Sequence, residues 1–209
     1  MVTGILFQFE LVISIDITCC VILMTTNEGV LIELMRYFYI IAVLLFLSAC
    51  TNNDWRTASR VPAGIASTPS EDSRAIIEFY AADAFSWRGW FAVHPWIAIK
   101  EEEALEYSVY EVTGWQVKRG LSAIRQYKTL TPDRYWYGSK PELLLSIKGE
   151  KASKLIPKIQ AAIALYPWIN KYRVFPGPNS NTFVSWVGRQ VPELELKLPF
   201  NAIGSGYTD

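Results

Sequence analysis

The chain is poor in the residue types that most often carry chemistry. Its 209 residues include a single histidine, His94, and three cysteines, Cys19, Cys20 and Cys50. They form no His/Cys/Asp cluster at the spacing of metal ligands, so we predict no metal site. A glycine-rich phosphate loop is also absent, since Gly177 between two prolines cannot present successive backbone donors. We therefore expect neither a metal nor another cofactor.

Neither sign of charge dominates the chain. Twenty basic and twenty acidic residues give a formal net charge of zero. Residues 1–49 hold four of the acids and one of the bases, so residues 50–209 carry 19 bases and 16 acids, a net charge of +3. This mildly basic balance lacks the clustered charge of a nucleic-acid-binding domain. We expect no nucleic-acid partner.

A long apolar run occurs only near the N-terminus. Met35-Arg36 precede the apolar stretch "YFYIIAVLLFLSA" (37–49), which ends at Cys50. A short positive start, an apolar segment and small residues before the cut predict a secretory signal over 35–49. The alternative is an uncleaved anchor helix reaching back to Val30, which Glu33 and Arg36 would interrupt; a run below ~17 residues also spans a bilayer poorly.

The residues just before the predicted cut, "LSAC" (47–50), resemble the lipobox of bacterial lipoproteins. That resemblance implies cleavage after Ala49 and a diacylglyceryl thioether on Cys50, which would make the membrane a partner. Thr51 stands where an Asp would resemble an inner-membrane retention signal, so the resemblance implies an outer-membrane lipoprotein facing the periplasm if the cell is Gram-negative. No cysteine then remains for a disulfide or for thiol catalysis.

Composition divides the chain into four parts. We predict that residues 1–34 are an upstream gene-start artefact, because Met35 begins a well-formed signal by itself; a second membrane segment is the alternative. Residues 50–73, rich in Ser, Thr, Asn, Pro and Ala, are predicted to be a flexible tether. Residues 74–209 are long enough for a single globular domain with a real core.

Hydrophobic patterning predicts an α+β domain, an antiparallel sheet with helices packed on it. Strands are expected over 75–81, 91–100, 107–112 and 142–147, and helices over 121–127, from Ser153 or slightly later to Pro167, and from Ser180 onward. In the second strand His94, Trp96 and Ala98 share one face, and Pro95 predicts an edge position. The acidic stretch 101–106 connects it to the third strand as a hairpin.

The stretch "FPGPNSNTFVSWV" (175–187) combines a tight turn, a polar cluster and apolar residues at helical spacing. At the start of a helix, Ser180 would lie among free N–H groups and at the positive end of the helix dipole, which favour a nucleophile and an oxyanion. The structural alternative is that Asn179 or Ser180 simply caps the helix. His94 is likewise often a hydrogen-bonded structural residue in such a setting.

Four stretches resemble a bacterial family of unknown function, the DUF family numbered thirty-seven-fifty. They are "HPWIAIK" (94–100), "YEVTGW" (110–115), "YPWINKYRVFPGPNSNTFVSWV" (166–187) and "LPFNAIG" (198–204). The resemblance covers residues 75–207 and implies no activity.

A more distant resemblance is to permuted papain-like and NlpC-type proteins, the PPPDE peptidases and lecithin retinol acyltransferase-like enzymes. There a strand with the catalytic histidine comes first, and the nucleophile follows on a later helix as Asn-Cys-Asn/His-x-Phe. The stretch "NSNTF" (179–183) keeps this pattern with Ser180 in place of the cysteine. The resemblance implies a permuted papain-like fold with Ser180 as nucleophile and His94 as base, although serine is the weaker nucleophile.

Such a site requires a group that orients His94. If the hairpin turns about the middle of 101–106, Glu111 lies across from His94 on the same face, with Tyr110 or Tyr107 as substitutes. Backbone donors near Ser180 and Asn181 are expected to hold the oxyanion.

We predict a lipid-anchored cell-envelope protein with a non-catalytic binding or scaffolding domain, in which serine marks a lost cysteine. Its recognition groove would be lined by Trp90, Trp96, Trp136 and Asn179. The alternative is a Ser–His hydrolase or acyltransferase acting on an amide or ester of cell-wall peptide or lipid.

Overall fold

The computed structural model describes residues 29–42 and 54–208, which belong to two compact units, Met1–Asn53 and Asp54–Asp209. In the first unit, residues 29–42 form a helix, α1, in which Arg36 and Glu33 make an ion pair of 3.7 Å. No helix within the described ranges is long and apolar enough to cross a membrane. The predicted cleavage site, the predicted lipidation site Cys50 and most of the upstream segment lie outside the described residues.

The second unit is built on a five-stranded antiparallel sheet with the order β4-β3-β2-β1-β5. With the helices that pack on it, this sheet confirms the predicted α+β class. The strands are β1 (Ile76–Asp83), β2 (Val93–Lys100), β3 (Tyr107–Val112), β4 (Ile124–Thr129) and β5 (Glu142–Lys148).

Three helices accompany the sheet: α2 (Gly114–Lys118), α3 (Glu150–Ala164) and α4 (Ser180–Gln190). Short 3-10 turns cover Ser86–Trp90 and Pro192–Leu194. Helices α3 and α4 turn their apolar sides to one face of the sheet, where Ile159 and Phe183 pack with Phe79, Ile97 and other residues of the larger core cluster. Helix α3 begins at Glu150 rather than at Ser153, because Gly149 with φ +67° ends β5 and starts the helix at once.

The opposite sheet face carries a second core cluster that includes Tyr80, Trp96 and Tyr107. Ile65 packs against this cluster, and the N–H of Ile65 donates to Oδ2 of Asp133 at 2.6 Å. The hydroxyl of Tyr107 donates to the carbonyl of Ser67 at 3.0 Å. Through these contacts the described part of this segment packs on the sheet and on the loop after β4, and the flexible tether expected over 50–73 stays a prediction.

One further expectation about the sheet is corrected. Residues 124–127 of the helix expected over 121–127 belong instead to β4, whose pairing with β3 runs from Val112↔Ile124 to Tyr107↔Thr129. Strand β2 lies between β1 and β3, but its ladder with β3 covers only Ile97 to Ile99. Pro95 therefore lies where β2 has an open edge toward β3, as its missing N–H predicted.

Both core clusters and all five strands belong to residues 54–208. The unit Asp54–Asp209 therefore builds its whole sheet and both core clusters from its own residues. Such a unit is expected to fold independently of residues 1–53.

Candidate active site

Asn179 caps helix α4 and leaves Ser180 as the first helical residue. Oδ1 of Asn179 accepts the backbone N–H groups of Asn181 at 2.9 Å and Thr182 at 3.1 Å. Oγ1 of Thr182 accepts the N–H of Asn179 at 3.0 Å, which completes a capping box. The capping role therefore falls to Asn179. Among the described residues neither the hydroxyl nor the N–H of Ser180 has a hydrogen-bond partner, so the cap does not use Ser180.

Two asparagine side chains hold the start of α4 against neighbouring segments. Nδ2 of Asn181 donates to the carbonyl of Val93 at 3.1 Å and to that of Ile203 at 3.0 Å. Nδ2 of Asn179 donates to the carbonyls of Val174 and Ile203, both at 2.9 Å. Because Val93 directly precedes His94, these bonds fix the beginning of the serine helix beside the beginning of the histidine strand.

His94 and Ser180 line the same cleft, which has a volume of about 610 Å³. Their exposed fractions are only 6% and 4%, so both side chains lie at the wall of the cleft rather than on the open surface. A cleft of this size matches those that take up small ligands. Seven of its twenty-two lining residues are aromatic, and we call them the aromatic wall: Phe85, Trp87, Phe91, Trp115, Trp136, Tyr172 and Phe175.

The imidazole of His94 is held by a carboxylate and by an indole. Its Nε2 lies 3.6 Å from Oε2 of Glu111 and, among the described residues, is buried without a hydrogen-bond partner. Nδ1 is then the nitrogen available to the cleft. The ring stacks on Trp136 with centroids 3.7 Å apart and planes 6° from parallel. The stack fixes the plane of the imidazole ring. The contact with Glu111 determines which of its two nitrogens faces the carboxylate.

Glu111 is a buried carboxylate shared between two partners. Its Oε1 accepts from Nη1 of Arg125 at 2.9 Å, across the β3–β4 ladder. The ion pair with Arg125 stabilises the buried carboxylate, whose desolvation alone would cost much free energy.

The β2–β3 register differs by two residues from the expected one, because Ile97 pairs with Tyr110. A shift of two keeps each side chain on its face, and Glu111 still reaches His94.

The expected pair of oxyanion donors is reduced to one. The N–H of Asn181 already donates to Asn179, so it is not available to a ligand. The N–H of Ser180 is the donor that the first turn of α4 leaves open among the described residues. Oδ1 of Asn181 and Oγ1 of Thr113, which also belong to residues lining the cleft, are buried without a partner in the described structure.

Two of the four expected groove residues line the cleft. Trp136 and Asn179 do so, whereas Trp90 lies outside its wall on an exposed turn. Trp96 is buried, donates from Nε1 to the carbonyl of Pro132 at 2.9 Å, and borders a separate cavity of about 140 Å³. The alternation of side chains along β2 correctly predicts that Trp96 lies on the same face as His94. It does not predict that other residues cover Trp96 and bury it away from the cleft.

Several residues of the cleft were not predicted as site residues, and they come from three separate segments: Phe91 and Arg88, Trp115 and Lys118, and Phe175. Trp115 and Phe175 lie in stretches that carry the family resemblance, but no motif joins the three segments into one site. The aromatic density of "FSWRGWF" (85–91) was the one local hint. Within the described ranges, no three His, Cys, Asp or Glu side chains are grouped so that they could hold a metal ion.

The structure thus defines a class: an α+β domain in which a histidine strand and a serine-bearing helix start meet at an aromatic cleft. The family model of DUF3750, described as a protein of unknown function, matches residues 74–207. The match spans more than half of the chain and includes all five strands, so the chain belongs to the DUF3750 family, as its motifs predicted. No curated protein and no solved structure matches the chain.

Proposed function

We propose that this protein is a serine hydrolase or acyltransferase acting on an ester or amide, anchored to the cell envelope through a lipidated Cys50. One observation carries the catalytic part. His94 and Ser180 line one cleft, and Glu111 lies 3.6 Å from the imidazole nitrogen that is buried. Nucleophile, base and orienting carboxylate recur in this order in acyl-transfer enzymes of unrelated folds.

In the proposed reaction, Oγ of Ser180 attacks the substrate carbonyl carbon and Nδ1 of His94 takes the hydroxyl proton. Glu111 stabilises the imidazolium that forms, and the N–H of Ser180 donates to the oxyanion. When the intermediate collapses, the imidazolium gives its proton to the departing alcohol or amine. Water or a second alcohol then attacks the acyl-serine while His94 removes its proton. The second intermediate collapses as the bond between the acyl carbon and Oγ of Ser180 breaks, and the imidazolium returns the proton to Oγ.

The surroundings of Ser180 favour an oxygen nucleophile. Ser180 begins an eleven-residue helix, where the helix dipole favours developing negative charge. Nε2 of His94 faces a carboxylate at a distance that a small closure would turn into a hydrogen bond, as apo sites often show. The permuted papain-like arrangement, with serine in the position of cysteine, is part of this proposal and rests on the "NSNTF" pattern.

A non-catalytic binding domain is the second candidate, and one observation favours it. The cap of α4 occupies the N–H of Asn181, so the helix start offers a single open donor to an oxyanion. Loss of one oxyanion donor costs enzymes about 10²–10³ in rate. In this alternative the cleft binds its ligand through the aromatic wall and Ser180 is inert.

A fluorophosphonate probe separates the two candidates, because it phosphonylates only an activated serine. The full chain should be labelled, and both Ser180→Ala and His94→Ala should abolish labelling while the circular dichroism spectrum stays unchanged. Ser185→Ala is the matched control in the same helix and should label as wild type. Folded wild-type protein that takes up no probe would overturn the hydrolase proposal in favour of the binding domain.

A further inference from the structure

Exposed aromatic rings surround the cleft. Trp87, Phe91 and Phe175 line it and are 57%, 50% and 75% exposed, and Trp90, on the same turn as Trp87, is 75% exposed. We refer to Trp87, Trp90, Phe91 and Phe175 as the aromatic rim. Exposed apolar patches of this kind mark interaction sites in folded proteins. Trp87, Phe91 and Phe175 belong to both the rim and the aromatic wall, so a ligand bound at the rim lies at the mouth of the cleft.

The charges of the cleft have one sign. Arg88 and Lys118 line it, and none of its lining residues is an aspartate or glutamate. The guanidinium of Arg88 lies 5.4 Å from the ring centroid of Trp87, so a cation is built into the rim itself. Lys118 ends helix α2, which also carries Trp115 into the wall. A ligand that fits this surface is apolar over most of its length and carries a negative charge.

The rim has the composition of a membrane-interface surface. Tryptophan rings are enriched at the headgroup level of bilayers, and basic residues beside them are attracted to anionic lipids. A peptide ligand would instead need an open strand edge, a helix groove or an acceptor for its terminus. The cleft offers mainly apolar side chains, with seven aromatic rings among them, so its chemistry favours a lipid.

We propose that the aromatic rim docks on a bilayer and that the cleft takes up the acyl chain of an anionic phospholipid. The reactive ester of this lipid would be the substrate of the Ser180 site, and in that respect the inference rests on the proposed function. Docking and lipid binding themselves follow from the rim and the charges, and they stand without the chemistry.

Vesicle flotation tests the docking. The unit 54–209, which contains its own sheet and cores and carries no lipid, should float with vesicles of phosphatidylglycerol and phosphatidylcholine. Trp90→Ser and Phe175→Ser, both at highly exposed positions, should each lower the partition coefficient at least ten-fold. Leu105→Ser is the matched control: it is 70% exposed but lies in the turn at the opposite end of β2 from Val93, and it should bind as wild type.

Quenching of tryptophan fluorescence tests the uptake of the acyl chain. The Ser180→Ala variant is used because it lacks the proposed nucleophile and cannot hydrolyse the lipid. Its tryptophan fluorescence should be quenched by a monomeric phosphatidylglycerol with brominated acyl chains. Arg88→Glu and Lys118→Glu should raise the half-saturating concentration at least ten-fold, whereas Lys151→Glu on helix α3 should not. Equal quenching by the matching phosphatidylcholine would overturn the anionic selectivity.

Failure of the lipid inference differs visibly from failure of the hydrolase proposal. Flotation and quenching without fluorophosphonate labelling would retain the lipid site and remove the enzyme. Labelling of Ser180 without flotation or quenching would retain the enzyme and overturn the lipid site. Concentration-dependent dimerisation that Phe175→Ser abolishes, with no binding to vesicles, would show that a second copy of the chain covers the rim and would likewise overturn it.

Discussion

The carboxylate of Glu111 lies 3.6 Å from Nε2 of His94, and both groups are buried. The other carboxylate oxygen is taken by Arg125 at 2.9 Å, so Glu111 cannot turn away without losing an ion pair. A carboxylate accepts but does not donate, and it therefore favours the tautomer with hydrogen on Nε2. That tautomer leaves the lone pair of Nδ1 open to the cleft, as a general base requires.

We predict that Glu111→Gln slows fluorophosphonate labelling of the full chain by about 10²–10⁴-fold. The amide keeps the shape of the carboxylate, but its NH₂ group can donate to Nε2 and hold the wrong tautomer. The rate constant of labelling, measured at several probe concentrations, is the readout. Glu142→Gln on the exposed edge strand should leave the rate unchanged. Wild-type labelling by Glu111→Gln would remove Glu111 from the site.

A second prediction concerns the cap of helix α4. Asn179→Ala removes one acceptor of two N–H groups and one amide that donates to two carbonyls. We expect the free energy of unfolding to fall by about 2–4 kcal/mol, because the loss of an N-cap is combined with buried groups left unpaired. Urea denaturation measures the change. The exposed Asn170→Ala should stay within about 0.5 kcal/mol of wild type. A loss below about 1 kcal/mol for Asn179→Ala would show that the cap is dispensable.

Strand parity explains why the approach of His94 to Glu111 was predictable from the sequence. Side chains alternate between the two faces along a strand. A register error of an even number of residues therefore leaves each side chain on the predicted face, whereas an odd error moves it to the other face. The expected register was wrong by two residues, and Glu111 still reaches His94. The start of α4 was predictable for another local reason, since a proline-rich turn followed by a polar cap is read directly from the sequence.

Features that depend on distant partners could not be predicted in this way. Residues 124–129 form a strand because β3 offers them an edge, with Glu111 and Arg125 paired across the ladder. The backbone N–H of Ile65 is bound by Asp133, which lies 68 positions away along the chain. The cleft wall joins rings from separate loops. Composition and periodicity contain none of these pairings.

A third prediction tests the proposed anchor. Cells fed with radiolabelled palmitate should incorporate label into the wild-type chain and not into Cys50→Ala, because the thioether forms on the sulfur of Cys50. Cys20→Ala is the matched control, since Cys20 precedes the expected cleavage site and should not affect labelling. Equal incorporation in Cys50→Ala and wild type would refute the lipoprotein assignment, whatever the outcome for Ser180.

The last prediction concerns a carboxyl group that does not line the cleft, although it lies on the sheet face that also carries Tyr80, Trp96 and His94. Glu78 is buried in β1 and accepts a hydrogen bond from the hydroxyl of Tyr80 at 2.6 Å. Burial raises the pKa of Glu78 above its ordinary value of 4.5, even though the Tyr80 bond opposes the change. Above pH 4.5 the folded state therefore retains this proton more strongly than the unfolded chain does. Unfolding then becomes easier as the pH rises through that window.

Glu78→Gln keeps an acceptor for Tyr80 and removes the ionisation. We expect the free energy of unfolding of the variant to exceed that of wild type at pH 8, with the difference shrinking toward pH 4.5, where wild type is increasingly protonated. Urea denaturation across this range measures it, with the exposed Glu106→Gln as control. Asp72 does not interfere, because its hydrogen bonds to Arg74 hold its pKa below 3.8 and its contribution is lost only at lower pH. A variant that is less stable than wild type at pH 8 would mean that Glu78 is ionised and stabilising in the folded protein.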